Sequence, residues 1–329
     1  MYEKFGKFVA GAERICIIQA ENPDGDSLGS ALALDLILGG KVETLYCPVD
    51  IPKYLRYFTD WGRVTNEFDY RADAYIIVDT ASATLLSKLL EDGAVRNRLE
   101  QAKAFVIDHH ETEPDLPFEH ESIIEGGAVA TTEVIYKIAK ELGMDVSAEA
   151  GEYLLAGMLS DTLGLTSASV SGETYRAAGE LLDLGVSITA LEERRRDYMK
   201  KSPRILEYKA ELIQRVEYHL DGKLATVLIP FEDIRQYSDE YNPNVLILEE
   251  LRLVEGVEIA VAIKTYPDGK LTGKIRSGKP IAETVAGYFG GGGHEYASGF
   301  RVYEDYDKVI SELVPMVAKV LEEGKNETV

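Results

Sequence analysis

The chain has 329 residues, 45% of them apolar, and a net charge of −22. Its length favours two domains, and its apolar content suffices for ordinary buried cores, which excludes fibrous and disordered classes. The charge excludes a protein that grips long nucleic acid through its phosphates, because that needs a basic surface; a small anion held in a local basic pocket or by metal ions stays compatible.

No window of about 18 uncharged apolar residues occurs, so no membrane partner is expected. The N-terminus carries no small-residue cleavage signal and does not read as a signal peptide. Cys16 and Cys47 are the only cysteines, and both read as reduced residues of a cytoplasmic protein.

In chain order, the apolar run Ile15–Ala20 reads as a buried strand. The stretch Asn22-Pro-Asp-Gly-Asp-Ser-Leu-Gly-Ser30 follows it and leads into a helix over 26–39. Asp24 and Asp26 therefore sit on the turn leaving the carboxyl end of a strand, the edge where ligands bind in open α/β sheets. Two carboxylates this close repel each other unless a cation lies between them. Further strands are expected at Val42–Cys47, Tyr75–Thr80 and Ala104–Asp108, and helices at 83–92, 130–142, 147–159 and 172–184. Apolar strands with helical crossovers imply an α/β fold, a mostly parallel sheet with helices on both faces.

Around 191–208 the character changes. Glu192-Glu-Arg-Arg-Arg-Asp-Tyr-Met-Lys-Lys-Ser-Pro203 is charged, lacks an apolar period and reads as a helix running into a linker. Beyond it, Leu212–Leu220 and Leu224–Pro230 read as a hairpin across Asp221-Gly222. Val257–Tyr266 and Leu271–Ile275 read as another across Pro267-Asp268-Gly269. Helices at 281–289 and 304–323 complete a smaller α+β domain.

Three further positions repeat the logic of the first stretch. Asp79 ends one apolar run, Asp108-His109-His110 ends another, and Asp161 follows Tyr153–Ser160. A lone aspartate at a strand end usually caps a helix; four such events in one domain point to a metal centre. Carboxylates with imidazoles suit divalent ions such as Mn²⁺ better than a cysteine-rich zinc site would. In the second domain, Gly290–Gly293 can expose backbone N–H groups as an anion nest. His294 directly after it and Arg276 on a preceding strand end extend that reading to a phosphate pocket.

Asn22–Ser30, Val78-Asp-Thr80, Asp108-His-His110 and Ser160-Asp-Thr162 resemble the four motifs of the DHH phosphoesterase superfamily. Lys274–Gly278 with Gly290–Gly299 resembles the DHH-associated C-terminal domain. The length is similar to the branch of nanoRNases and pAp phosphatases. The resemblance implies a DHH metal-binding catalytic domain over 1–190, a linker over 191–208 and a substrate-binding domain over 209–329. It also implies a two-metal site, with Mn²⁺ expected and Mg²⁺ or another divalent ion as the alternative. Asp24 would serve the first metal, Asp26 the second, and Asp79 both, while His109 and Asp161 complete the second. His110 would point at the scissile phosphate or orient a ligand, and Asp108 is the other catalytic candidate. Arg276, Gly291, Gly292, Gly293 and His294 would hold the substrate's terminal phosphate, with Ser298 nearby. The implied substrates are short oligonucleotides, linear or cyclic dinucleotides and pAp, and a homodimer is compatible with it.

One position departs from the family pattern. The first motif usually begins with a histidine ligand three residues before the proline, and here that residue is Ala20. Gln19 and Glu21 should point to the opposite face if the strand continues, and Glu21 reaches the site only if it has turned. The first metal then keeps Asp24 and Asp79 alone. Two further readings follow: a nucleotide-binding relative that has given up the first metal site, and a manganese-dependent pyrophosphatase.

Overall fold

A computed structural model describes residues 2–110 and 113–326. The chain divides into two compact units, Met1–Lys200 and Lys201–Val329.

In the first unit the chain runs through α1 (Glu3–Ala10), β1 (Ile15–Ile18), α2 (Gly25–Leu38), β2 (Val42–Tyr46), β3 (Val64–Thr65) and β4 (Ala74–Val78). It continues with α3 (Ser87–Glu91), α4 (Gly93–Gln101), β5 (Lys103–Asp108), β6 (Glu121–Ile124) and α5 (Thr131–Glu141). The unit ends with α6 (Ala148–Asp161), α7 (Gly172–Asp183) and α8 (Ile188–Met199). The six strands pair in parallel in the order β3-β2-β1-β4-β5-β6. Both faces of the sheet are covered, which is why its central strands β1 and β4 are apolar at every position. Ile15, Ile17, Ile76, Val78, Phe105 and Ile107 join the core beneath α2, α5 and α6. Cys16, Ile18, Tyr75, Ile77 and Val106 join the core on the other face. The strand order reverses between β1 and β4, and ligands of such sheets gather at the carboxyl ends flanking that switch. Asp24 follows β1 and Asp79 follows β4.

The helix α1 is absent from the sequence-based expectation, which took the N-terminus as a lead into β1. Phe5, Phe8 and Val9 bury one of its faces, the pattern of an amphipathic helix. Both cysteines are free and buried.

The second unit runs through α9 (Pro203–Gln214), β7 (Val216–His219), β8 (Leu224–Ile229), α10 (Phe231–Tyr237), α11 (Pro243–Leu251), β9 (Ile259–Thr265) and β10 (Leu271–Ser277). It closes with α12 (Ala282–Tyr288), β11 (Gly292–His294), β12 (Ala297–Val302) and α13 (Tyr306–Asn326). Its sheet has the order β11-β12-β10-β9-β8-β7 and is mixed: β8 and β9 are parallel, the other neighbours antiparallel. Ile259, Val261, Ile263 and Ile275 pack with α12 and α13. Ala260 and Ala262 face the opposite way, towards Tyr208 of α9 and Leu246 and Ile247 of α11.

The segment 191–208, read as a helix running into a linker, holds the end of α8 and the start of α9. It is helical except for Lys200–Ser202, because Ser202 caps α9 through the Ile205 N–H and Pro203 opens its first turn. The same helix claims Leu212–Gln214, read from sequence as the start of a hairpin strand.

Candidate functional site

The carboxyl end of β1 builds the first corner. Pairing with β2 persists one residue past the strand, through the Gln19 N–H to the Tyr46 carbonyl at 2.9 Å. Asp24 then caps α2: its Oδ1 accepts the N–H groups of Asp26 and Ser27 at 3.0 and 2.9 Å. Asp26, fully buried, lies in the first turn of α2 and faces the start of α5. Asp79 follows β4 with φ 64°, a left-handed backbone costing an L-residue about 1 kcal/mol. Its N–H donates to the Ile107 carbonyl at 2.9 Å, which ties the strained residue to β5.

His109 marks the centre of the cluster. Its Nδ1 lies 3.4 Å from the Ala128 carbonyl, an acceptor only, so the hydrogen bond there is donated by the ring. Its Nε2 is buried and has no hydrogen-bond partner among the described residues. Around that atom stand Asp161 Oδ2 at 3.4 Å, Asp79 Oδ1 at 3.7 Å and Asp26 Oδ2 at 3.9 Å. None of the three contacts is a hydrogen bond. They suit donors sharing one cation, because metal–ligand bonds of about 2 Å leave neighbouring ligand atoms roughly 3–4 Å apart. His110 takes another task. Its Nδ1–H donates to Asp108 Oδ1 at 2.7 Å, and the same oxygen accepts the N–H groups of His109 and His110. Asp108 is thus a positioning residue that leaves Nε2 of His110 available.

The electrostatics agree with that geometry. Burial, then Asp26 and Asp24, push the Asp161 carboxyl up to about 9. Burial and the same two neighbours push Asp79 well above the carboxylate range, and burial with Asp26 raises Asp24. Four acids gathered out of water are mutually repulsive, and a divalent cation removes that repulsion. The donor set of carboxylates and one bare imidazole nitrogen therefore fits such an ion. His110 is shifted upward by its hydrogen bond to Asp108.

Sequence reasoning missed the support beneath Asp26. Thr132 donates both its N–H and its hydroxyl to Asp26 Oδ1, at 2.9 and 2.6 Å. Thr131 donates its N–H to Asp26 Oδ2 at 2.6 Å and its hydroxyl to Asp79 Oδ1 at 3.0 Å. Ala130 gives α5 no side-chain cap, so an acid from α2 caps that helix from across the fold. Two glycines bring the helices together. A Cβ on Gly29 would lie 2.6 Å from the Tyr153 carbonyl, and one on Gly157 would lie 2.4 Å from Thr132 Cγ2 and 2.9 Å from Asp26 Oδ1.

Ala20 is buried, and its carbonyl meets Cys47 Sγ at 3.4 Å. Glu21 does not replace the missing histidine. Its carboxylate accepts the Ser87 hydroxyl at 2.7 Å and the Lys88 N–H at 3.2 Å, so it caps the start of α3 instead. Gln19 is fully buried, and its carboxamide has no partner among the described residues.

In the second unit the pocket residues separate. Arg276 is half-buried on β10, one N–H donating to the Ile275 carbonyl at 3.0 Å, and burial lowers its pKa. Gly292, Gly293 and His294 form β11 and pair with Gly299, Ser298 and Ala297. The expected nest is narrower than the glycine run, because the N–H of Gly291 is spent on the Ala286 carbonyl at 2.9 Å, closing α12. Ser298 is also corrected: its buried hydroxyl donates to the Ala282 carbonyl at 2.5 Å and holds α12 rather than facing a ligand. The His294 side chain lies outside the described residues.

Known proteins resemble this chain in sequence and in fold. Residues 14–158 match the DHH family, N-terminal domain. The bifunctional oligoribonuclease and PAP phosphatase NrnA of Thermus thermophilus is 28% identical over 282 residues, covering 84% of this chain and 81% of its own. A probable manganese-dependent inorganic pyrophosphatase of Brevibacillus brevis is 31% identical over 192 residues, 54% of this chain and 57% of that one. The crystal structure of an exopolyphosphatase-related protein from Bacteroides fragilis superimposes with a TM-score of 0.84 at 22% identity, covering 99% of this chain and 96% of that one. Residues 14–158, within the first unit, are thus similar to the DHH family's N-terminal domain, and the chain shares the fold of the Bacteroides fragilis protein.

Proposed function

From that likeness to the DHH family as premise, we propose that the chain is a metal-dependent phosphoesterase. Its substrates would be short oligonucleotides or dinucleotides, the 3′-phosphate of pAp, or both. The observation that carries this reading is the His109 Nε2 atom, buried without a partner, with carboxylate oxygens of Asp26, Asp79 and Asp161 at 3.4–3.9 Å. The oligoribonuclease and PAP phosphatase relative supports the substrate class. The pyrophosphatase relative supports manganese.

Asp26, His109 and Asp161 would hold one divalent ion, Asp24 would serve a second, and Asp79 would face both. When bound, such ions lower the pKa of water and neutralise charge on phosphoryl oxygens. The protein's own residues do the rest. Thr131 and Thr132 fix Asp26, and the Ile107 carbonyl fixes Asp79. Asp108 orients His110, whose raised pKa favours the protonated ring and lets Nε2 donate to a phosphoryl or leaving oxygen. Arg276 and the backbone of Gly292 and Gly293 would receive the terminal phosphate. The net charge of −22 disfavours long polyanions and favours short ones.

The test is turnover of pApA, cyclic di-AMP and pAp in Mn²⁺ and in EDTA, alongside Asp79→Ala. Manganese-dependent turnover of at least one, lost in the variant, supports the reading. No turnover of any, with the circular dichroism intact, sinks it. Ala20 favours a second reading, a nucleotide-binding relative without the first metal; it predicts nucleotide binding without turnover.

A further inference from the structure

In a chain with 57 acids and 35 bases, one face of the second sheet is cationic. In the β9–β10 ladder Lys264 stands opposite Thr272, Ala262 opposite Lys274 and Ala260 opposite Arg276. Directly opposed residues share a face, as do residues two apart along a strand. Lys264, Lys274 and Arg276 therefore share the face on which Ala260 and Ala262 pack under α9 and α11. On β12, Gly299 stands opposite Lys274, and a Cβ there would press on the lysine at 3.0 Å from Cδ. None of the three cations has a carboxylate within ion-pair distance among the described residues; Glu249 of α11 and Arg252 act on Arg276 from farther off.

Lys264 is the anomaly. It is only 8% exposed, and the one acceptor its ammonium meets among the described residues is Asn242 Oδ1 at 3.1 Å. Buried charges are ordinarily paired. Here burial and Lys274 lower its pKa, so its surroundings supply positive charge where an anion should be. Arg276 lies about 7 Å along the strand from Lys274, and Lys264 a similar step beyond on the diagonal.

We propose that Lys264 and Lys274 form a second anion site beside Arg276, receiving a further phosphate group of a ligand that carries at least two. Only the natural ligand's identity, a phosphorylated dinucleotide or bisphosphate nucleotide, rests on the phosphoesterase reading. The site itself is a property of the sheet face.

The full chain in EDTA is titrated calorimetrically with inorganic pyrophosphate and, separately, inorganic phosphate. Pyrophosphate should bind about tenfold more tightly, and Lys264→Gln and Lys274→Gln should each weaken it about tenfold while changing phosphate binding less than about twofold. Lys274 is exposed, so its variant keeps the test sound if Lys264→Gln fails to fold. Equal binding of the two anions, or pyrophosphate binding indifferent to Lys274→Gln, overturns the proposal. Lysine-dependent pyrophosphate binding by a chain that hydrolyses no nucleotide would instead overturn the function and leave this site standing.

Discussion

Glu21 accepts the Ser87 hydroxyl on one carboxylate oxygen at 2.7 Å and the Lys88 N–H on the other at 3.2 Å. The acid nearest the missing histidine is thus committed to the start of α3. Ala20→His should therefore tighten Mn²⁺ by about tenfold or more, the scale on which supporting shells act on metal affinity. Glu21→Gln should leave Mn²⁺ affinity unchanged and lower only thermal stability. Calorimetric titration of Mn²⁺ into the three proteins decides it; equal affinity in all of them but Glu21→Gln would show that Glu21 is a ligand after all.

Thr132→Val keeps the shape of the side chain and removes one of the two donors to Asp26 Oδ1. Hydrogen bonds to charged groups contribute about 1.5–3 kcal/mol, and the variant should unfold at correspondingly lower urea. Its Mn²⁺ affinity should fall about tenfold as Asp26 loses its fixed orientation. Unchanged affinity would mean that the backbone donors alone hold the acid.

Gly157→Ala places a methyl group against Thr132 and Asp26 Oδ1. Overpacking of this kind costs about 1–3 kcal/mol, and here the strain falls on Thr132 and Asp26. Activity should drop further than stability does. A variant as active as the parent, measured well below its melting temperature, would refute the coupling between helix spacing and site.

Lys264 gives a dependence on pH with a definite sign. Its folded pKa lies below the ordinary 10.5, so the charge costs the folded state more than the unfolded one. That penalty is complete below the lowered value and disappears as pH rises through 10.5. Lys264→Met should melt roughly 2–4 °C above the parent at neutral pH, with the gap closing towards pH 10.5 and, at neutral pH, on adding pyrophosphate. A lower melting temperature for the variant would assign the lysine a purely structural role through Asn242.

Much of the first unit is legible because its signals are local. The apolar runs at Ile15–Ile18 and Ala74–Val78 are strands buried on both faces, and Asp24 and Asp79 follow them where the sheet order reverses, whereas Asp161 ends a helix. The α5 threonines are not legible, since their partner Asp26 is 105 residues away for Thr131 and Ala130-Thr-Thr-Glu133 reads as an ordinary helix start. The helix α11 was legible and missed: Asn242 caps it and Pro243 occupies its first turn. The strand β11 was hidden by its composition. Glycines signal turns, whereas Gly291 and Gly293 are small because β12 passes close enough to meet any Cβ.

An ionised carboxylate offers about four lone pairs. On Asp26, two at Oδ1 are taken by Thr132 and one at Oδ2 by Thr131. What remains is a single lone pair on Oδ2, the oxygen facing His109 Nε2. As a metal ligand, Asp26 would therefore be a monodentate donor. A large ion that gathers seven or eight oxygens, often in carboxylate pairs, finds too few at this corner. An ion held at this corner would therefore take one oxygen from Asp26, fixed there by the hydrogen bonds of α5.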